Sequence, residues 1–161
     1  MTITESRVRG FLDRYAASLT TFDAEECALL WSTPGVIADD QFSGVLETRA
    51  AMVEGLRQSY PFYQQLGFAS VAYELTEARI LSTQLVLVRV RWIFLDDAAA
   101  ELTDTDSYYL LRDEAGILRA TVCIETDAAA KLQELAERRG IDLPPPAAVI
   151  GGNESARPAG G

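Results

Sequence analysis

The sequence predicts an α+β domain in which three helices pack into a strongly curved, mainly antiparallel sheet around one small-molecule-sized interior. Three observations carry that expectation. Apolar residues recur at helical spacing up to about Tyr60 and at a period of two from Gly67 to Glu125. The extended runs of the second part are joined by short connections, which implies an antiparallel meander. The chain has 161 residues, 48% of them apolar and 24% charged, enough for one buried core and far from the compositions of disordered segments.

Val8, Phe11, Leu12, Tyr15, Ala16 and Leu19 share one face at 3.6-residue spacing, so residues from about Thr4 to Thr20 read as an amphipathic helix with Tyr15 on its buried stripe. Asp23 is placed as an N-cap and Glu26 completes a capping box, while Phe22 and Cys27 stand where a hydrophobic staple forms. A short helix from Ala24 to about Trp31 follows, ended by Pro34-Gly35. Gly35 to Asp39 reads as a short strand leading into a loop, Asp40 to Gly44. Thr48 caps a third helix that turns Met52, Val53, Leu56 and Tyr60 inward, and Pro61 stops or kinks it. Phe62, Tyr63 and Leu66 extend it as an aromatic segment ending near Gly67.

The period then changes, with extended runs at Phe68–Leu81, Gln84–Leu95, Glu101–Arg112 and Gly116–Glu125. Asp113 to Gly116 is a hairpin turn, because Gly116 takes a positive φ without steric cost. On the second run Val88, Val90, Trp92 and Phe94 are expected to face the interior and Arg89 and Arg91 the outer sheet face or a dimer contact. On the third run Asp104, Asp106, Tyr108 and Leu110 share one face, and Thr105, Ser107, Tyr109 and Leu111 the other. If Tyr108 and Leu110 line the interior, Asp106 does too; the alternative is a solvated polar strand end. A last helix is expected from Asp127 to Arg139, closed by Gly140. The domain is therefore assigned to residues 1–140, and the Pro/Gly/Ala-rich residues 141–161 are expected to be a mobile tail.

Composition excludes several functions. Fourteen basic against 24 acidic side chains give a net charge of −10, a field that repels nucleic-acid phosphates and anionic lipid. No signal-peptide pattern opens the chain, and the apolar stretch Leu85–Leu95 is broken by Arg89 and Arg91, so a cytoplasmic location without a membrane partner is expected. Cys27 and Cys123 lack metal-ligand spacing and read as buried free thiols. With no histidine, imidazole-based nucleophile activation and proton shuttling are excluded, and acid–base chemistry falls to Asp, Glu, Tyr, Lys or Cys. Neither a metal nor a cofactor is expected.

The stretch Phe11 to Leu19, then Asp23, then Ala28-Leu29-Leu30-Trp31, together with Gly35 to Asp40 and Gly44, resembles the opening of the nuclear transport factor 2-like superfamily. That group includes SnoaL-type polyketide cyclases and ketosteroid isomerases. The resemblance covers about residues 5 to 126 and implies a cone-shaped, cystatin-like α+β barrel. It also aligns Tyr15, Asp39 and Asp106 with the isomerase pattern, each pointing into the cone. The resemblance then implies Asp39 as base and Tyr15 and a protonated Asp106 as oxyanion donors, Asp106 being held neutral by burial beside Asp39. Asp39 and Asp40 are adjacent, and a parity slip puts Asp40 in the pocket; either also suits a turn. Tyr15 also suits a core tyrosine with a satisfied hydroxyl. A resemblance to limonene epoxide hydrolases, in which an arginine bridges two aspartates, lacks the compact Asp-x-Arg signature here.

Trp31, Phe62, Tyr63, Trp92, Phe94 and Tyr108 are the candidate ligand-contacting aromatics, suited either to filling the core or to holding a flat apolar ligand. Two functions are carried forward. One is cofactor-free proton transfer on a small apolar ketone or polyketide-like substrate. The other is a non-catalytic ligand-binding or homodimeric assembly module.

Overall fold

A computed structural model describes residues 2–142. Residues 143–161, most of the expected tail, lie outside the described residues.

The first helix, α1 (Glu5–Thr20), is capped by Thr4, whose hydroxyl accepts from the Arg7 amide at 3.2 Å, and it buries the predicted stripe including Tyr15. Helix α2 (Ala24–Leu29) is capped by Asp23, which accepts from the Glu26 amide at 3.1 Å. It ends before Trp31, which instead opens strand β1 (Trp31–Ala38). The reason is tertiary: Trp31 pairs with Ala120 across a parallel ladder, and its indole is fully buried. The freed carbonyls at the end of α2 are taken by arginines from elsewhere, Ala28 by Arg49 and Leu29 by Arg119. The expected loop over Asp40 to Gly44 is partly strand. Strand β2 (Ser43–Leu46) pairs antiparallel with β1, Ala38 opposite Ser43.

Helix α3 (Arg49–Gln65) starts at the Thr48 cap and continues past Pro61 to include Tyr63. Strands β3 (Ser70–Ile80), β4 (Leu85–Leu95), β5 (Glu101–Glu114) and β6 (Ile117–Glu125) form the predicted meander. The hairpin turn places Ala115 at φ 56° and Gly116 at φ 90°. The six strands form one curled, unclosed sheet in the order β2-β1-β6-β5-β4-β3, antiparallel throughout except for β1 beside β6.

Directly opposed residues of neighbouring antiparallel strands point to the same face. The inward residues Val86, Val88, Val90 and Trp92 of β4 oppose Leu111, Tyr109, Ser107 and Thr105 of β5. Arg89 and Arg91 face outward, as expected, opposite Tyr108 and Asp106.

The last helix, α4 (Ala128–Arg139), ends at Gly140 with φ 67°, as predicted. It lies where β5 runs on beyond the end of β6. Thr126 donates its amide to the Asp106 carbonyl at 3.2 Å, the Asp106 amide donates to the Asp127 carboxylate at 2.8 Å, and Arg138 donates to the Leu102 carbonyl at 3.0 Å. These bonds satisfy backbone groups on a strand edge that would otherwise stand open. Among the described residues no helix is long and apolar enough to cross a membrane.

Candidate functional site

Tyr15 is fully buried on α1 and accepts a hydrogen bond from Trp31 Nε1 at 3.1 Å. Its ring stacks on Trp92 at 5.4 Å and meets Tyr109 edge-on at 5.6 Å, and Tyr109 accepts from Trp92 Nε1 at 3.1 Å. Two indole N–H groups are thereby satisfied by two phenols in the middle of the cone. Burial pushes the Tyr15 and Tyr109 hydroxyls well above the ordinary tyrosine range.

Asp39 follows β1 and accepts from the amides of Gln41 at 2.8 Å and Phe42 at 2.9 Å, which makes it the turn former between β1 and β2. The structure does not bring Asp106 to Tyr15. Asp106 lies on the outer face of β5, where Arg89 grips its carboxylate, Nη2 at 2.8 Å and Nε at 3.1 Å. Tyr108 is outside as well, with the Arg89 guanidinium 5.2 Å above its ring. The expectation that Asp106 and Tyr108 line the interior is therefore corrected, because the β4–β5 register turns Tyr109, Ser107 and Thr105 inward instead. Asp104 shares the outer face with Asp106 and joins an ionic cluster with Arg91, Lys131, Glu74 and Glu101. Of the candidate aromatics, Trp31, Tyr63, Trp92 and Phe94 are buried within, and Phe62 is partly buried at the margin.

The interior does hold a carboxyl group, supplied by Glu125. Only 4% exposed, it accepts from Ser107 Oγ at 3.0 Å and touches Cys123 Sγ at 3.8 Å. Burial, resisted by the Ser107 and Cys123 contacts and helped by the charges of Asp39 and Asp127, pushes its pKa up to about 7. Its negative charge also raises the Tyr63 hydroxyl, after burial, and the Tyr109 hydroxyl, after burial, Cys123 and Tyr15. The sequence reading missed Glu125 because β6 is bulged. Leu118 and Ala120 face inward, the register shifts opposite Leu110 and Leu111, and Cys123 and Glu125 then face inward too. The available signal was its spacing from Cys123, a buried thiol whose i+2 neighbour shares its face.

At the other side of Tyr63, the rings of Tyr63, Phe68 and Phe94 form a stack with centroid spacings of 5.6 and 4.4 Å. They border a cavity of about 10 Å³ shared with Leu19, Phe22 and Tyr60. Among the described residues the Tyr60 hydroxyl and Thr105 Oγ1 are buried without a hydrogen-bond partner. No group of three or more Cys, Asp or Glu among the described residues could hold a metal ion.

A model of the family described as NTF2-like protein (DUF6841) matches residues 4–128, from the cap of α1 to the first residue of α4. Among curated proteins nothing matches. An NTF2-like protein of unknown function from Shewanella oneidensis superposes with a TM-score of 0.64 at 12% identity, over 78% of this chain and 100% of that one. A cystatin-like domain of unknown function from Nostoc punctiforme gives 0.62 at 17% identity, over 76% and 75%. A ketosteroid isomerase-like protein from Erwinia carotovora atroseptica gives 0.55 at 15% identity, over 75% and 93%. At these identities the likeness establishes the fold alone. With its family model spanning α1 through β6, the chain belongs to the NTF2-like proteins of the DUF6841 family.

Proposed function

We propose that the protein binds one small, mainly apolar molecule, ketone- or polyketide-like, inside the cone, and that Glu125 is the acid through which proton transfer runs there. The observation that carries this reading is the Glu125 carboxyl, 4% exposed on the inner face of β6 and held by Ser107 Oγ at 3.0 Å, which burial pushes up to about 7. A group balanced near neutrality can donate its proton to a carbonyl oxygen or, once ionised, remove one beside it. Ser107 and Cys123 hold the carboxyl in place, and Asp39 acts through its charge. This reading needs neither histidine nor cofactor, and Glu125 takes the part first assigned to Asp39 and Asp106. The test is 2-naphthol binding, followed by its fluorescence at pH 6 and pH 8. Wild-type affinity is expected to fall at least fivefold at the higher pH as Glu125 loses its proton, while Glu125→Gln binds equally at both. Identical pH profiles for the two proteins would remove Glu125 from the site.

A second reading, assembly, is favoured by the outer sheet face. The register aligns Val45, Val36, Val122, Leu110 and Leu87 in one apolar row across five strands, and Val45 is 50% exposed. A second copy of the chain is the occupant we assign to that row, giving a two-fold homodimer. The net charge of −10 speaks against nucleic acid and anionic membrane as partners, and the two buried free thiols suit the cytoplasm.

A further inference from the structure

Helix α1 ends in a pattern that normally calls for glycine. The Asp23 amide donates to the Ser18 carbonyl at 2.9 Å and the Phe22 amide to the Leu19 carbonyl at 3.4 Å, and the residue in the left-handed position is Phe22, with φ 54°. A phenylalanine there stores backbone strain that only its contacts offset. Its ring is partly exposed and meets the Tyr60 ring edge-on at 5.1 Å, closing one side of the 10 Å³ cavity.

Tyr60 is 7% exposed, lines the same cavity, and its hydroxyl has no partner among the described residues. Burial pushes that hydroxyl up, so it stays neutral and able both to donate and to accept. The remaining walls, among them Leu19, Tyr63, Phe68 and Phe94, are apolar on the cavity side. A water is held in such a place by about two to four polar partners, whereas the lining here is almost wholly apolar and Tyr60 carries its buried side-chain hydroxyl without a partner among the described residues. An apolar ring bearing one oxygen matches both the walls and that hydroxyl.

We propose that the space bounded by Phe22, Tyr60, Tyr63, Phe68 and Phe94 is a ligand subsite, opened by outward rotation of the Phe22 ring, which takes the ring of a small phenol- or ketone-type molecule with its oxygen on Tyr60 Oη. The subsite rests on the reading that the cone takes an apolar ligand, but not on the role of Glu125. It sets both the class of ligand and the door by which the ligand enters.

Phenol and toluene, equal in ring and different in one oxygen, separate the parts of this proposal when their dissociation constants are measured by NMR. Phe22→Gly removes the ring while leaving a residue at ease with φ 54°, so the turn is kept. That variant is expected to bind phenol at least tenfold more tightly than wild type. Adding Tyr60→Phe is expected to lower the phenol-to-toluene affinity ratio at least tenfold while toluene remains bound. If toluene binds but the ratio does not move, Tyr60 is not reading the ligand and the subsite is overturned, with the apolar-ligand reading left standing. If wild type and Phe22→Gly bind phenol equally, Phe22 is not the door and the proposal fails in that part. If neither probe binds Phe22→Gly below 10 mM, the subsite falls and the apolar-ligand reading falls with it. Tyr60→Phe alone serves as the folding control, since it removes an unpartnered hydroxyl and leaves the ring.

Discussion

Glu125 is a carboxyl group held almost wholly out of solvent. Burial raises its folded pKa from the ordinary 4.5 to about 7, so the native state holds its proton more tightly than the unfolded chain does. The resulting stability is fully present below pH 4.5 and is lost as pH rises through 7, a change of about 3 kcal/mol for this one group. Urea denaturation at pH 5 and pH 8 is expected to show that loss in wild type and a much flatter profile in Glu125→Gln. A wild-type stability that rises from pH 5 to pH 8 by as much as that of the variant would contradict it. At Tyr15 the expected effect is structural. Tyr15→Phe strips the acceptor from the buried Trp31 Nε1 and is expected to cost about 1–3 kcal/mol, whereas a pure change of packing would cost less. Thermal melts of Tyr15→Phe against the exposed control Arg57→Ala check this.

Among the elements, α4 and β5 depend on each other. The helix buries Leu132 and Leu135 and supplies partners for the β5 edge from Leu102 to Asp106. Leu135→Ala is expected to cost about 2–5 kcal/mol by urea denaturation and to speed hydrogen exchange at the Asp106 amide. Lost stability with unchanged exchange at that amide would mean that α4 does not guard the edge. The facing of β5 was itself legible, through a signal other than the one followed. Arg89 and Arg91 were placed outside, and carboxylates two residues apart on the next strand, Asp104 and Asp106, complement them best from the same side. Tyr108 beside Tyr109 left the apolar pattern undecided, and opposite charge across the ladder decides it.

At the scale of the whole molecule, the sheet is covered by helices on its concave side and shows an apolar row on its convex side. The homodimer prediction follows from that row, which ends towards β3 at Arg79, opposite Leu87. Sedimentation equilibrium is expected to give about twice the 17.6 kDa chain mass, and Leu110→Asp to return it to the single-chain value with the fold intact by circular dichroism. A wild-type mass of one chain at micromolar concentration would leave the outer face without its assigned occupant.

Helix stripes, caps and hairpins are written locally, which is why the sequence alone determined α1 from its apolar spacing, the Asp23 and Thr48 caps, the four meander strands and the Gly140 stop. The caps and the Gly140 stop rest on contacts within a few residues, and the helix and strands on an apolar period written along each run. What only the tertiary structure decided is where distant segments meet. Trp31 became strand because β6 lay alongside it, β2 formed because β1 offered an edge, and the bulge in β6 turned Glu125 inward. A parity shift of one residue sends every following side chain to the other face, and the only local trace of it is the spacing of Glu125 from the buried Cys123. The proposed site therefore rests on Glu125 rather than Asp106, although the fold that contains both was legible from the start.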